Sequence, residues 1–182
     1  TTVLNSAEIK SWSFRGGISI SIPWGKRSGR SYTNGIFSKG ADGERTPDEK
    51  GTTKAAGITF SSPLGGNAIV TSPYGMRGAY MHDGVDIDAK KGDPIYAVAD
   101  GQVIQARKTD GGYGKVVKIK HKNGYVSMYA HLGMIKARTG TNVKRGDVIG
   151  RAGSSGRSTG VHLHFEILKD GKAVDPSKYI VF

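Results

Sequence analysis

Two groups of metal-binding side chains stand out in this 182-residue sequence. In Val161-His162-Leu163-His164-Phe165-Glu166-Ile167, strand alternation places His162, His164 and Glu166 on one face and Leu163, Phe165 and Ile167 on the other. The apolar face is expected to pack, and the histidine face to look into a polar site. An isolated His-x-His more often faces solvent, so its companions decide the matter. In His82-Asp83-Gly84-Val85-Asp86, two good zinc ligands lie four positions apart. Fully extended, their Cα atoms would stand about 13 Å apart at roughly 3.3 Å per residue, too far to share a metal with bonds of about 2 Å. The chain must therefore bend between them, and Gly84, lacking a Cβ, supplies the place. Two ligands at this turn and one from a distant strand give His₂Asp with an open fourth position, the pattern of catalytic rather than structural zinc.

A third segment, Tyr125-Val126-Ser127-Met128-Tyr129-Ala130-His131-Leu132, also alternates. It is expected to turn Tyr125, Ser127, Tyr129 and His131 to a polar face and the apolar residues to the other. His121, in Lys120-His121-Lys122, has no companion and is read as a surface residue. The sequence contains no cysteine, so disulfides and thiolate zinc sites are excluded, and a transition-metal site must be built from His and carboxylates.

The elements that must position these groups are strands. Short Val- and Ile-rich runs separated by glycine-containing turns occur at 69–71, 85–87, 95–99, 102–106, 116–120, 125–132, 148–152 and 163–168. Asn123-Gly124, between two of these runs, signals a tight hairpin because both residues tolerate positive φ. One short stretch, Leu132–Ala137, carries a weak helical pattern. The expected fold is all-β: a small antiparallel sheet or β-sandwich domain with an open groove and few or no helices, preceded by an irregular N-terminal segment. The domain is placed at residues 58–182. Residues 1–57 are read as an accessory segment, linker-like or covering the groove, in which Ile18, Ile20 and Ile22 mark one plausible strand and 27–57 lacks the apolar content for a core.

Together, His82-x-x-x-Asp86, Tyr129-x-His131-Leu132 and the run Gly156-Arg157-Ser158-Thr159-Gly160-Val161-His162-Leu163-His164-Phe165-Glu166 resemble the lysostaphin-type peptidoglycan metalloendopeptidases. The likeness runs from about Ser61 to Pro176 and includes the approach Ser72-Pro73-Tyr74-Gly75-Met76-Arg77. It implies one Zn²⁺ per chain held by His82, Asp86 and His164, with His131 and His162 acting in catalysis. Val161 stands where proline is common in such proteins, a change that removes no ligand. No His-Glu-x-x-His helix motif supplies a carboxylate base, so the acid–base work falls jointly to His131 and His162. Asp83 and Asp88 rank below Asp86 as ligands. Glu166 is either an orienting partner for a ligand histidine or a solvated carboxylate. Tyr74, Tyr113, Tyr125 and Tyr129 could line a substrate groove but are read as packing, and the glycines near 75, 111, 112 and 156 suit close approach of backbone to backbone.

The resemblance implies a substrate of short peptide bridges, either glycine-rich or linked through D-alanine and a diamino acid. Twenty-seven Lys and Arg against fifteen acidic residues give a formal charge of +12, which favours anionic cell-wall polymers as partners. The basic residues form no nucleic-acid motif, so specific nucleic-acid binding is not expected. No run of apolar residues is long enough to span a bilayer. A monomer is expected, located outside the cytoplasm or carried in a phage particle or larger precursor. Two other classes fit parts of the pattern: a non-catalytic wall-binding or scaffold module that retains zinc, and a carrier domain, because residues 140–150 resemble pieces of lipoyl or biotinyl hammerheads.

Overall fold

The computed structural model describes residues 57–66 and 68–182, together with backbone strands at 38–39, 45–46 and 53–55. The expected strand at Ile18, Ile20 and Ile22 and most of the 1–57 segment lie outside the described residues. In chain order the strands are β1 (Ser38–Lys39), β2 (Arg45–Thr46), β3 (Thr53–Ala55), β4 (Ile58–Phe60), β5 (Val70–Ser72), β6 (Gly75–Arg77) and β7 (Tyr80–His82). They continue with β8 (Val85–Asp88), β9 (Pro94–Tyr96), β10 (Gly101–Lys108), β11 (Lys115–Lys120), β12 (Tyr125–Ala130), β13 (Met134–Ile135), β14 (Asn142–Val143), β15 (Val148–Arg151), β16 (His162–Lys169) and β17 (Lys172–Val174). A single 3-10 turn at Pro176–Lys178 is the only helical element among the described residues, so Leu132–Ala137 forms no helix and contributes β13 instead.

Eight strands form the main antiparallel sheet in the order β14-β10-β11-β12-β16-β8-β5, with β17 added to β16. A three-stranded sheet, β13-β15-β9, supplies Ile95 and Ile149 to the same core, giving the all-β architecture expected from the sequence. The β11–β12 hairpin turns at Asn123 and Gly124, with φ of 54° and 74°, as the dipeptide predicts. β3 pairs with β4 across Gly57, so strand pairing reaches back past residue 58.

The central strands show why the site sits where it does. On β16, Leu163, Phe165 and Ile167 are fully buried in the main core, each contributing about 1.5–3 kcal/mol by removal from water. The alternate residues His162, His164 and Glu166 take the opposite face. On β8, Val85 and Ile87 enter the core and Asp86 takes the face of His164, its direct cross-strand partner. Core packing of two adjacent strands therefore fixes the register of the polar groups on their outer side.

β12 departs from the expected orientation. Its register opposite β16 pairs Tyr129 with Phe165 and Ala130 with His164, so Tyr125, Ser127 and Tyr129 lie on the core side, while Met128 and Ala130 join Val116 in a small cluster on the site side. The tyrosines can be buried because their large rings fill the core and their hydroxyls find partners; Tyr129 Oη accepts the Val98 N–H at 2.9 Å. His121 is likewise inside and not on the surface. Its Nδ1–H donates to the Asp100 carbonyl and its Nε2 bonds Ser127 Oγ, both at 2.8 Å, and Ser127 Oγ lies 3.0 Å from Tyr129 Oη.

Candidate metal and catalytic site

His82 ends β7, Asp86 lies on β8 and His164 on β16. The chain bends at Gly84 as the ligand spacing requires. A Cβ at Gly84 would stand 2.4 Å from the Phe165 carbonyl oxygen and 2.8 Å from Glu166 Cγ, so β16 packs against a backbone that only glycine provides. His82 Nδ1–H donates to the Pro73 carbonyl at 2.8 Å, which leaves the Nε2 lone pair facing the site. His164 Nε2–H donates to Glu166 Oε1 at 2.9 Å and turns Nδ1 inward.

The three inward donor atoms converge. His82 Nε2 lies 3.3 Å from Asp86 Oδ1 and 3.2 Å from His164 Nδ1, and His164 Nδ1 lies 2.9 Å from Asp86 Oδ1. Donors about 2.0–2.1 Å from a tetrahedral Zn²⁺ stand about 3.3 Å apart, so this His₂Asp set fits a zinc ion with only slight opening. Among the described residues it is the one group of three such side chains close enough to hold a metal. Asp83 and Asp88 are exposed and outside it.

Burial alone would raise the Asp86 pKa, but the hydrogen bonds from His164 and Arg77 outweigh it and hold the carboxyl well below the usual range. Burial opposes a charge on His164, yet the hydrogen bonds to Asp86 and Glu166 prevail and raise it to about 9. A bound cation would compete with that proton for Nδ1.

His131 reaches this cleft by a route that alternation does not provide. As the residue after Ala130 it would continue toward the core, but its φ of 59° places it in the left-handed region and swings the ring to the site face. Its Nδ1–H donates to the Ser155 carbonyl at 2.8 Å, leaving Nε2 as an acceptor. Its ring centroid is 4.8 Å from that of His162 and 6.0 Å from that of His164. Burial, reinforced by the nearby His162 and His164 charges, lowers the His131 pKa against the pull of the Ser155 carbonyl. His162 Nδ1 lies 3.0 Å from the Gly160 carbonyl, and its Nε2 is 3.8 Å from Asp86 Oδ1. All five residues chosen from the sequence thus line one cleft of about 340 Å³.

The cleft is also lined by residues to which the sequence assigned no chemical role, among them Arg77, Tyr113 and Arg157. Arg77 Nη2 donates to Asp86 Oδ2 at 2.6 Å, bonds Ser72 Oγ and lies 3.1 Å from His82 Nε2. It therefore occupies one carboxylate oxygen and leaves Oδ1 to the donor cluster. Tyr113 Oη–H donates to Glu166 Oε1 at 2.7 Å, and Glu166 is 4% exposed, which settles the earlier alternative in favour of a buried orienting carboxylate. Arg157 also lines the cleft. In the sequence, Arg77 and Arg157 fall within the runs that carry the family resemblance and Glu166 shares a strand face with His164, but Tyr113 carries no signal of its contact with Glu166. Of the glycines expected to allow close approach of backbone to backbone, Gly156 does so within the chain itself. Gly114 and Gly156 press on each other's backbone, a Cβ on Gly156 falling 2.3 Å from the Gly112 carbonyl oxygen, so they close the wall of the cleft on itself; Gly75 and Gly111 meet nothing within 4 Å.

Residues 80–176 match the model of peptidase family M23, and the chain belongs to that family. It is 44% identical over 113 residues to the DD-carboxypeptidase/endopeptidase Mpg of Neisseria meningitidis serogroup B, covering 59% of this chain and 26% of the relative. It is 39% identical over 122 residues to the murein hydrolase activator NlpD of Escherichia coli K12, covering 67% of this chain and 31% of the relative. The chain thus spans about a quarter to a third of the length of these curated relatives. The catalytic domain of the antimicrobial peptidase lysostaphin from Staphylococcus simulans superposes with a TM-score of 0.58 at 30% identity, covering 62% of this chain and 91% of that domain.

Proposed function

We propose that this chain is a zinc-dependent endopeptidase that hydrolyses peptide cross-links or bridges of bacterial peptidoglycan. The observation that carries the proposal is the convergence of His82 Nε2, Asp86 Oδ1 and His164 Nδ1 beneath two further histidines, His131 and His162, over one open cleft. Zinc held by His82, Asp86 and His164 would supply Lewis acidity toward a scissile carbonyl and the attacking water. The remaining steps belong to side chains of this chain. Neutral His131, fixed through Nδ1 by Ser155, takes a proton from the attacking water at Nε2. The proton taken up by His131 then passes to the leaving amine as the C–N bond breaks, while His162, its ring centroid 4.8 Å away, donates to the developing oxyanion; the reverse division of the two duties balances equally.

The substrate class follows from family membership and from charge. A formal charge of +12 draws the protein to anionic wall polymers; the Escherichia coli K12 relative is named a murein hydrolase activator and a Yersinia enterocolitica relative a lipoprotein. An extracytoplasmic location accompanies such a substrate. No helix among the described residues is long and apolar enough to cross a membrane. The likeness to NlpD supports a second reading, a module that activates other wall hydrolases without cutting. The occupation of all five positions favours the enzyme.

Digestion of purified muropeptides with glycine bridges and with direct cross-links, by the full chain with zinc or with a chelator, tests the proposal. Cleavage of one type that stops with chelator and returns with zinc is expected. Zinc-loaded protein that cuts neither overturns it.

A further inference from the structure

Tyr113 and Glu166 take no part in the proton transfers above, yet they are held tightly against the donor cluster. We propose that they form a positioning pair that selects Nδ1 of His164 as the metal-facing nitrogen and ties metal binding to the cleft wall at residues 109–114. The proposal rests on the zinc reading of the site and concerns residues outside the ligand set.

An imidazole presents either nitrogen, and the partner of the other nitrogen decides which one a metal meets. For His164 that partner is Glu166, whose Oε1 receives Nε2–H at 2.9 Å. A carboxylate this deeply buried is tolerated only when its hydrogen bonds are made, and the second bond to the same oxygen comes from Tyr113 Oη at 2.7 Å. The Tyr113 ring lies 5.5 Å from the His164 ring at 39°, which restricts rotation of the imidazole. Room for the Glu166 stem exists because Gly84, between the two ligands His82 and Asp86, has no Cβ to meet Glu166 Cγ.

The backbone of the same tyrosine acts on the other half of the site. Its carbonyl accepts the His131 N–H at 2.9 Å, and the adjoining Gly112 carbonyl accepts the Arg157 N–H at 2.8 Å. Tyr113 therefore holds the donor cluster through its side chain and His131 through its main chain. Ordering His164 on a metal orders Glu166, then Tyr113, then the wall that presents His131.

Zinc affinity of the full chain, measured by competition with a fluorescent chelator, is compared for wild type, Y113F, E166Q and E166A. E166A is expected to weaken zinc by about 10- to 100-fold. E166Q, which keeps an acceptor oxygen, recovers part of that loss, and Y113F weakens binding by about twofold to tenfold. Nitrogen-15 NMR of labelled imidazoles reads the cause: the His164 Nε2–H signal persists in wild type and E166Q and is lost in E166A. Hydrogen exchange completes the test, with zinc slowing the His131 and Arg157 amides in wild type and doing so less in Y113F. Wild-type affinity in E166A overturns the proposal; if E166A does not fold, wild-type affinity in both E166Q and Y113F does so. Wild-type protein that binds no zinc in the same assay overturns the metal reading of the site instead.

Discussion

His131 and Ser155 are joined twice: the imidazole Nδ1–H donates to the Ser155 carbonyl at 2.8 Å, and the Ser155 N–H returns to the His131 carbonyl at 3.3 Å. The pair locks a non-glycine residue in the left-handed region and fixes its tautomer at once. A side chain held this way against its backbone preference points to a use other than packing.

Replacement of that ring tests the use. H131A is expected to retain zinc, since no ligand atom is removed, and to lose hydrolysis by about 10²- to 10⁴-fold, the contribution of a positioned general base. Zinc content and cleavage rate are read on the same preparation. Activity within tenfold of wild type would remove His131 from the chemistry, whereas zinc bound equally by wild type and H131A with cleavage by neither would favour the activator reading.

D86A should separate site from fold. Asp86 faces away from the core, which Val85 and Ile87 fill from the same strand, so unfolding is expected to shift by only a few degrees. Zinc retained after dialysis, measured by elemental analysis, should fall from one ion per chain to none, and cleavage with it. Retained zinc would mean that the ion sits elsewhere.

Gly114 and Gly140 offer a matched comparison of strain with and without contact. Both have positive φ, 66° and 89°, but a Cβ at Gly114 falls 2.4 Å from the Ser155 carbonyl carbon, whereas at Gly140 it meets nothing within 4 Å. G140A is expected to cost about 1–2 kcal/mol from backbone conformation. G114A should cost more in denaturant titrations and should also reduce turnover, because displacing Ser155 displaces His131. Equal losses in both variants would show that the wall does not depend on that contact.

His121 should give the stability curve a slope near neutrality. Burial lowers its pKa in the folded protein, against the pull of the Asp100 carbonyl. Below about pH 6.5, the ordinary histidine value, the unfolded chain binds a proton that the folded chain refuses. Stability therefore falls as pH drops from 6.5 toward the lower folded value. In H121Q the unfolding free energy should fall less steeply between about pH 7 and 5 than in wild type. Parallel curves for the two proteins would contradict the burial argument.

Strand positions and the two faces of β16 were legible because alternation is local: Leu163, Phe165 and Ile167 announce a core side whatever lies opposite. Asp86 was legible as a ligand only from its spacing to His82. Its actual setting, directly across from His164, depends on which strands pair, and no local pattern encodes that. The inverted face of β12 escaped detection for a related reason. Tyr129 and Ser127 look polar in sequence but bury their hydroxyls against Val98 and His121, which come from distant segments. The left-handed turn at His131 then repairs the alternation in a way that composition does not signal, since a positive φ is uncommon at any one non-glycine position even though histidine adopts it more readily than most. His121 was misjudged because its neighbours in sequence are lysines, while its neighbours in space are Asp100, Ser127 and Phe60.

The division of labour across β16 has an evolutionary corollary. Hydrophobic residues on one side fill the core, and His162 and His164 on the other face the cleft, so selection can act on the two sides separately. A single base change on the cleft side of such a strand removes chemistry from the domain while leaving the core residues Leu163, Phe165 and Ile167 in place. That domain keeps the groove and its surroundings, and is free to be recruited for adhesion or signalling where it once cut.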